Sequence, residues 1–184
     1  MKKHRLQSNC AFRLMSMEFR LRDWLRPPVK ILQEAGVHSG MTALDFGCGP
    51  GGFSLAAARL VGPEGRVYAM DIHPLAVKSV QRATDKQGFN NIQTVFGGSL
   101  VAVPEGSVDI ALLYDVLHDL PEPGLTLVEL HRVLKSKGVL SVSDHHLQEA
   151  PLRSIVTGSG HFRLIRSNRW TFQFEKTETS QVAT

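Results

Sequence analysis

The 184-residue chain contains only two cysteines, Cys10 and Cys48. They are too few for a disulfide framework and have no zinc-type spacing, so a reducing cytoplasm is the expected location. No apolar run approaches the roughly 18 residues that a membrane span needs, and no signal-peptide core is visible. Internal repeats and low-complexity tracts are absent. Charge of one sign is also scarce outside one stretch. Residues 1–30 carry eight Lys/Arg against Glu18 and Asp23, a net +6, while the remainder sums to −2. The overall +4 and the pI of 9.3 therefore describe a basic arm and not a basic protein. With 42% hydrophobic and 21% charged residues, the composition is that of an ordinary globular domain with a real core.

The arm intersperses Phe12, Leu14, Met15, Met17, Phe19, Leu21, Trp24 and Leu25 among its cations and breaks at Pro27-Pro28. It reads as a solvated amphipathic helix. An anion-attracting surface, a peripheral membrane contact and an organelle transit peptide are the other readings of the same residues. A second helix is expected from Pro28 to Ala35, stopped by Gly36.

From Thr42 onward, strands and helices alternate. Strands are predicted at 42–46, 66–71, 92–96, 108–113 and 139–143, and helices at 53–61, 74–87 and 124–134. The run Lys135-Ser136-Lys137-Gly138 is expected to close the last of these with cations and a glycine. Such alternation predicts an α/β fold with a parallel, doubly wound sheet. The tail differs. A helix over 147–156 leads into two alternating runs, 161–166 and 169–174, divided by Ser167-Asn168. They read as an antiparallel hairpin at the sheet edge, followed from Thr177 by a frayed terminus.

The densest signal is Ala43-Leu44-Asp45-Phe46-Gly47-Cys48-Gly49-Pro50-Gly51-Gly52, an apolar strand that enters a glycine turn. Gly47, Gly49 and Gly52 fit G-x-G-x-x-G, the spacing that lets backbone approach a ligand at a helix N-terminus. Asp71 stands 19 residues beyond Gly52, at the end of the second strand, where an acid accepts ribose hydroxyls. A dinucleotide and S-adenosylmethionine share that requirement. Asp45 separates them, because a carboxylate at the turn repels a pyrophosphate and suits a ligand bearing an ammonium and a sulfonium.

These residues resemble the first motif of the class I S-adenosylmethionine-dependent methyltransferases. The likeness continues through Val67–Asp71, through Gly106–Ile110 with Leu117–Leu120, and through Leu130–Gly138, covering residues 30 to 176 in unbroken order. It is nearest to the quinone-biosynthesis and small-molecule branch. The resemblance implies a Rossmann-like sheet of seven strands, mostly parallel, with the C-terminal hairpin as strands six and seven. It divides the chain into an arm or lid at 1–30, a cofactor-binding domain at 31–176 and a tail at 177–184.

The resemblance also implies site roles. Asp45 with Gly47, Cys48, Gly49 and Gly51 would hold the methionine end, and Asp71 the ribose. Ile72 would pack on the adenine, and Tyr114 and Asp115 would lie beside the methionine moiety. Where the family often has an acid for the adenine amino group this chain has Gly97-Gly98-Ser99, leaving Ser99 or a backbone carbonyl near Gly98 to serve. Asp109 reads as a structural strand-start acid, and Cys48 as a small residue that fits the turn.

Candidate proton acceptors at the strand ends are Tyr114, His118, His145 and His146. A metal at His145-His146 is not expected, since adjacent histidines in an extended segment diverge. The absence of an Asn/Asp-Pro-Pro-Tyr run after the fourth strand disfavours amino-group acceptors on adenine or glutamine. It leaves oxygen, carbon and sulfur open, and two cysteines suit arsenic chemistry poorly. The expected function is methyl transfer from S-adenosyl-L-methionine to a small-molecule or lipid-like acceptor. The alternatives are a non-catalytic cofactor-binding regulator or scaffold and, further off, an NAD-dependent oxidoreductase. Nucleic acid is not an expected partner; a membrane contact through residues 1–30 and a homodimer are.

Overall fold

The computed structural model describes residues 26–177 together with Leu14; the rest of the basic arm and residues 178–184 lie outside the described residues. Helix α1 (Pro28–Glu34) starts on a proline, whose fixed φ and missing N–H suit a first turn. Then follow β1 (Thr42–Phe46), α2 (Gly52–Val61), β2 (Arg66–Asp71), α3 (Pro74–Gln87), β3 (Ile92–Phe96), β4 (Val108–Tyr114), a 3₁₀ turn at Leu117–Asp119, α4 (Pro123–Val133) and β5 (Leu134–Ser143). Helix α5 (Glu149–Gly158) leads into β6 (Phe162–Ser167) and β7 (Phe172–Lys176).

The seven strands form one sheet in the order β3-β2-β1-β4-β5-β7-β6. β1 to β5 are parallel, β7 runs antiparallel to β5, and β6 pairs antiparallel with β7. This is the doubly wound sheet with a terminal hairpin that the alternation and the resemblance predicted.

The period of two along each strand sorts side chains onto two faces. On β4, Val108, Ala111 and Leu113 join a core closed by Leu127, Leu130 and Val133 of α4 and Leu152 and Val156 of α5. Ile110, Leu112 and Tyr114 point the other way, against Leu32 of α1 and Ala56, Ala57 and Val61 of α2. The chain order reverses direction at β1 and β4, so the crevice beyond their C-terminal ends is the topological switch point where open α/β sheets bind ligands.

Several boundaries differ from expectation, three of them with a visible cause. Strand β5 begins at Leu134, five residues early, because α4 ends at Val133 and the chain turns straight into the sheet. Its register to β4 jumps from Val108↔Leu134 to Ile110↔Val139, so Lys135–Gly138 bulges outward as part of the strand. Asp109 stabilises that bulge, accepting Lys135 Nζ at 2.6 Å and the Thr42 backbone N–H at 2.8 Å. The β6–β7 connection is a four-residue loop, 168–171, and not a two-residue turn. Glu34 of α1 holds it, its carbonyl accepting Asn168 Nδ2 at 3.2 Å and its carboxylate the Trp170 N–H at 3.3 Å. Thr177, expected to fray, donates its N–H and hydroxyl to the carbonyls of His161 and Gly160 and accepts from His131 Nε2.

Candidate functional site

The glycine turn leaves β1 at the switch point. Gly47 (φ +82°) and Gly51 (φ +97°) occupy the left-handed region that disfavours a side chain. Space demands glycine at both as well. A Cβ at Gly47 would stand 2.3 Å from Val116 Cγ2, and one at Gly51 2.8 Å from Val80 Cγ2. The N–H groups of Gly47 and Cys48 both donate to the Met70 carbonyl at 2.8 Å, and Ser79 Oγ donates to the Pro50 carbonyl at 3.1 Å. The turn is therefore stapled to β2 on one side and α3 on the other.

Carboxylates surround it. Asp45, 3% exposed, projects on the α2 face and accepts the Ser54 hydroxyl at 2.5 Å. Asp71, at the end of β2, accepts Gly49 N–H at 2.9 Å and His73 N–H at 2.7 Å. Burial raises its carboxyl above the usual 3.8 even though these backbone donors favour the charged form. Burial also pushes the Cys48 thiol far up, and Asp45 and Asp71 push it further in the same direction. The thiol is thus inert, and its surroundings carry negative potential. That field favours a cationic ligand head and opposes a pyrophosphate. Next to Asp71, Ile72 borders an open slot: a Cβ at Gly98 would meet only Ile72 Cγ2, at 3.6 Å, and one at Gly97 would meet nothing within 4 Å. Ser99 is exposed at its rim. The residues present fit a nucleoside with a positively charged tail.

On the other side of the switch point, the ends of β4 and β5 exchange partners. Asp144, buried at the end of β5, faces His118 of the 3₁₀ turn. Its oxygens lie 3.0 and 2.9 Å from His118 Nδ1, and one accepts the His118 N–H at 3.1 Å. In the reverse direction, Asp115 accepts the His145 N–H at 3.1 Å and lies 2.7 Å from its Nδ1. Asp115 is the non-glycine residue with positive φ (55°) among those described. The His146 ring lies between the two, with centroids 4.2 Å from His118 and 3.8 Å from His145.

His118 is half-buried, and its Nε2 lies 3.5 Å from the exposed Asp119 carboxylate. An imidazole oriented through Nδ1 by a buried carboxylate is arranged to take a proton at Nε2.

Two expectations are corrected here. Tyr114 lies at the strand end, but the period of two turns its ring onto the α1–α2 face, edge-on to Phe53 at 4.8 Å. Its buried hydroxyl is 2.8 Å from Ser141 Oγ, and burial pushes its pKa well above the usual 10, so it stays protonated and is no base for an acceptor in the crevice. His145 and His146 do not diverge; a turn stacks their rings. Among the described residues no three His, Cys, Asp or Glu side chains converge as a metal-holding group. Asp144 escaped the residue-level reading. The available signal was its place as the acid directly after β5, much as Asp71 closes β2.

The sheet order, the glycine turn and its ring of acids define a class I S-adenosylmethionine-dependent methyltransferase fold, with S-adenosylmethionine as cofactor. Residues 37–177 match the methyltransferase domain model, and the chain belongs to that family. It is similar to the demethylmenaquinone methyltransferase of Geobacillus stearothermophilus, 30% identical over 110 residues, which is 59% of this chain and 47% of that enzyme. The chain spans about half the length of the curated relatives it matches. An S-adenosylmethionine-dependent methyltransferase from Aquifex aeolicus superposes with a TM-score of 0.79 at 26% identity, over 93% of this chain and 98% of that one. A methyltransferase structure from Methanococcus maripaludis gives 0.76 at 15% identity over the full length of both, which speaks for the fold alone.

Proposed function

We propose that the protein transfers the methyl group of S-adenosylmethionine to an oxygen or carbon nucleophile on a small-molecule or lipid-like acceptor of the quinol type, with His118 as general base and Asp144 as its positioning residue. The pairing of Asp144 with His118 Nδ1, between the ends of β5 and β4 beside the switch point, carries the reading. The kinship with demethylmenaquinone methyltransferases supports the acceptor class.

When bound, the cofactor supplies a methyl group activated on a sulfonium. The residues suited to hold it are Asp45 and the 47–51 turn for the methionine end, Asp71 for the ribose, and Ile72 with the open backbone at Gly97 and Gly98 for the adenine. Asp115 and Ser99 border the same space.

Displacement at a methyl carbon is in-line, so the chain's work is alignment and proton removal. Asp144 keeps the proton of His118 on Nδ1 and leaves Nε2 as the acceptor. His118 Nε2 takes the proton of an acidic acceptor hydroxyl as that oxygen, or the ring carbon conjugated to it, attacks the methyl. The buried carboxylate then stabilises the imidazolium until the proton leaves to solvent.

An acceptor screen scored by release of S-adenosylhomocysteine identifies a substrate. On it, His118→Ala and Asp144→Asn each lower kcat by about 10²- to 10⁴-fold with cofactor affinity unchanged, and His118→Ala, which removes the base itself, flattens the rising limb of the pH–rate profile. Wild-type turnover in either variant removes the base assignment. Absence of any cofactor binding removes the methyltransferase reading itself.

A further inference from the structure

The β6–β7 loop ends the sheet at the same edge as the crevice, since Phe172 pairs with Val142 near the C-terminal end of β5. Two cations crowd its half-buried indole. The guanidiniums of Arg26 and Arg169 lie 5.0 and 4.7 Å from the Trp170 ring centroid. Arg166, at the end of β6, is exposed two residues before the loop. Among the described residues none of these three arginines forms an ion pair, whereas Arg163 on the same strand is paired with Glu175. The loop is held rigidly for a surface feature: Glu34 accepts from Asn168, Trp170 and Gln173 at 3.2–3.3 Å. Ile165, 45% exposed, adds an apolar side chain next to Arg166.

We infer that this loop is a docking surface for an anionic phospholipid bilayer, which sets the mouth of the crevice against the membrane. Three guanidiniums with no ion pair among the described residues complement lipid phosphates, and tryptophan, with its apolar body and polar N–H, partitions to the headgroup level. A nucleic acid fits less well. The guanidiniums already occupy the indole π surface on which a base would stack, and Ile165 offers a polynucleotide nothing. No described helix is long and apolar enough to cross a membrane. Residues 1–25 contribute additional cations in sequence but lie outside the described residues. The inference concerns where the protein sits, and its test needs no turnover, so it stands or falls separately from the acceptor assignment.

The test is sedimentation of the full chain, carrying Trp24→Phe so that fluorescence reports Trp170, with phosphatidylcholine vesicles with and without about 30% phosphatidylglycerol. Expected are binding to the anionic vesicles only, a blue shift of Trp170 emission, and weakening by added salt. Replacing both Arg166 and Arg169 by Gln lowers the partition coefficient about 25-fold, from about fivefold per cation, while melting midpoint and S-adenosylhomocysteine affinity stay the same. Equal partitioning of wild type and the double variant overturns the inference, as does equal binding to neutral vesicles. Arginine-dependent binding of a single-stranded oligonucleotide without vesicle binding would reassign the surface to nucleic acid and overturn it as well.

Discussion

Replacing Gly47 by Ala tests whether the cofactor turn is dictated by one steric contact. The new Cβ would lie 2.3 Å from Val116 Cγ2, far inside van der Waals contact, at a φ of +82°. The left-handed backbone costs an L-residue about 1–2 kcal/mol. Overpacking against the valine methyl adds about 1–3 kcal/mol. Gly47→Ala therefore loses about 2–5 kcal/mol and roughly 5–15 °C of melting midpoint. The two terms separate in a double-mutant cycle. Val116→Ala alone costs about 1 kcal/mol, because Val116 is only half-buried against the core. In Gly47→Ala/Val116→Ala the overlap disappears while the backbone strain stays, so the double variant recovers about 1–3 kcal/mol relative to the sum of the singles. Urea denaturation of the four proteins measures the coupling, and calorimetry with S-adenosylhomocysteine follows the turn itself. Cofactor affinity should fall with Gly47→Ala and return in part with the second change. Strict additivity within about 0.5 kcal/mol would refute the steric account and leave backbone strain as the sole cause.

Asp71 makes cofactor binding and stability respond to acid in opposite senses. Its carboxyl titrates above 3.8 in the folded chain, so the native state takes up a proton before the unfolded state does. The carboxylate thus costs stability above its folded value, and that cost is relieved as pH falls through it. S-adenosylhomocysteine affinity declines over the same range, since a neutral carboxyl loses an acceptor for the ribose; an affinity flat through that range in wild type, or a decline that persists in Asp71→Ala, contradicts this. Tyr114→Phe should retain full turnover on any acceptor and lose about 0.5–1.5 kcal/mol in denaturation, the worth of its bond to Ser141. A loss of kcat beyond tenfold in that variant would return Tyr114 to the chemistry.

Much of the molecule is legible in the chain alone because its determinants are local. The order of strands and helices follows from hydrophobic period. The glycine turn follows from backbone sterics that other residues cannot meet, and Asp45 and Asp71 follow from their places directly at strand ends. The preference for a cationic ligand over a pyrophosphate was already present in Asp45; in the folded protein burial, and behind it Asp45 and Asp71, raise the Cys48 thiol. The tail boundary at Thr177 and the start of β5 were less legible, since both depend on which distant strand or loop supplies the hydrogen-bond partner.

What only the tertiary structure decided is which strand-end residues come together. Tyr114 and His118 lie four residues apart, yet one is turned into the core by the parity of β4 and the other leaves the sheet in a 3₁₀ turn beside Asp144. Asp144 acquires its role from a residue 26 positions away, and Trp170 acquires its cations from both Arg169 beside it and Arg26 at the far end of the described chain. A carboxylate orients an imidazole only within about 3 Å, and no periodicity in one dimension encodes a distance across two parallel strands. Closing the sheet, with β4 beside β5 and α1 against the hairpin loop, is what brings these groups together.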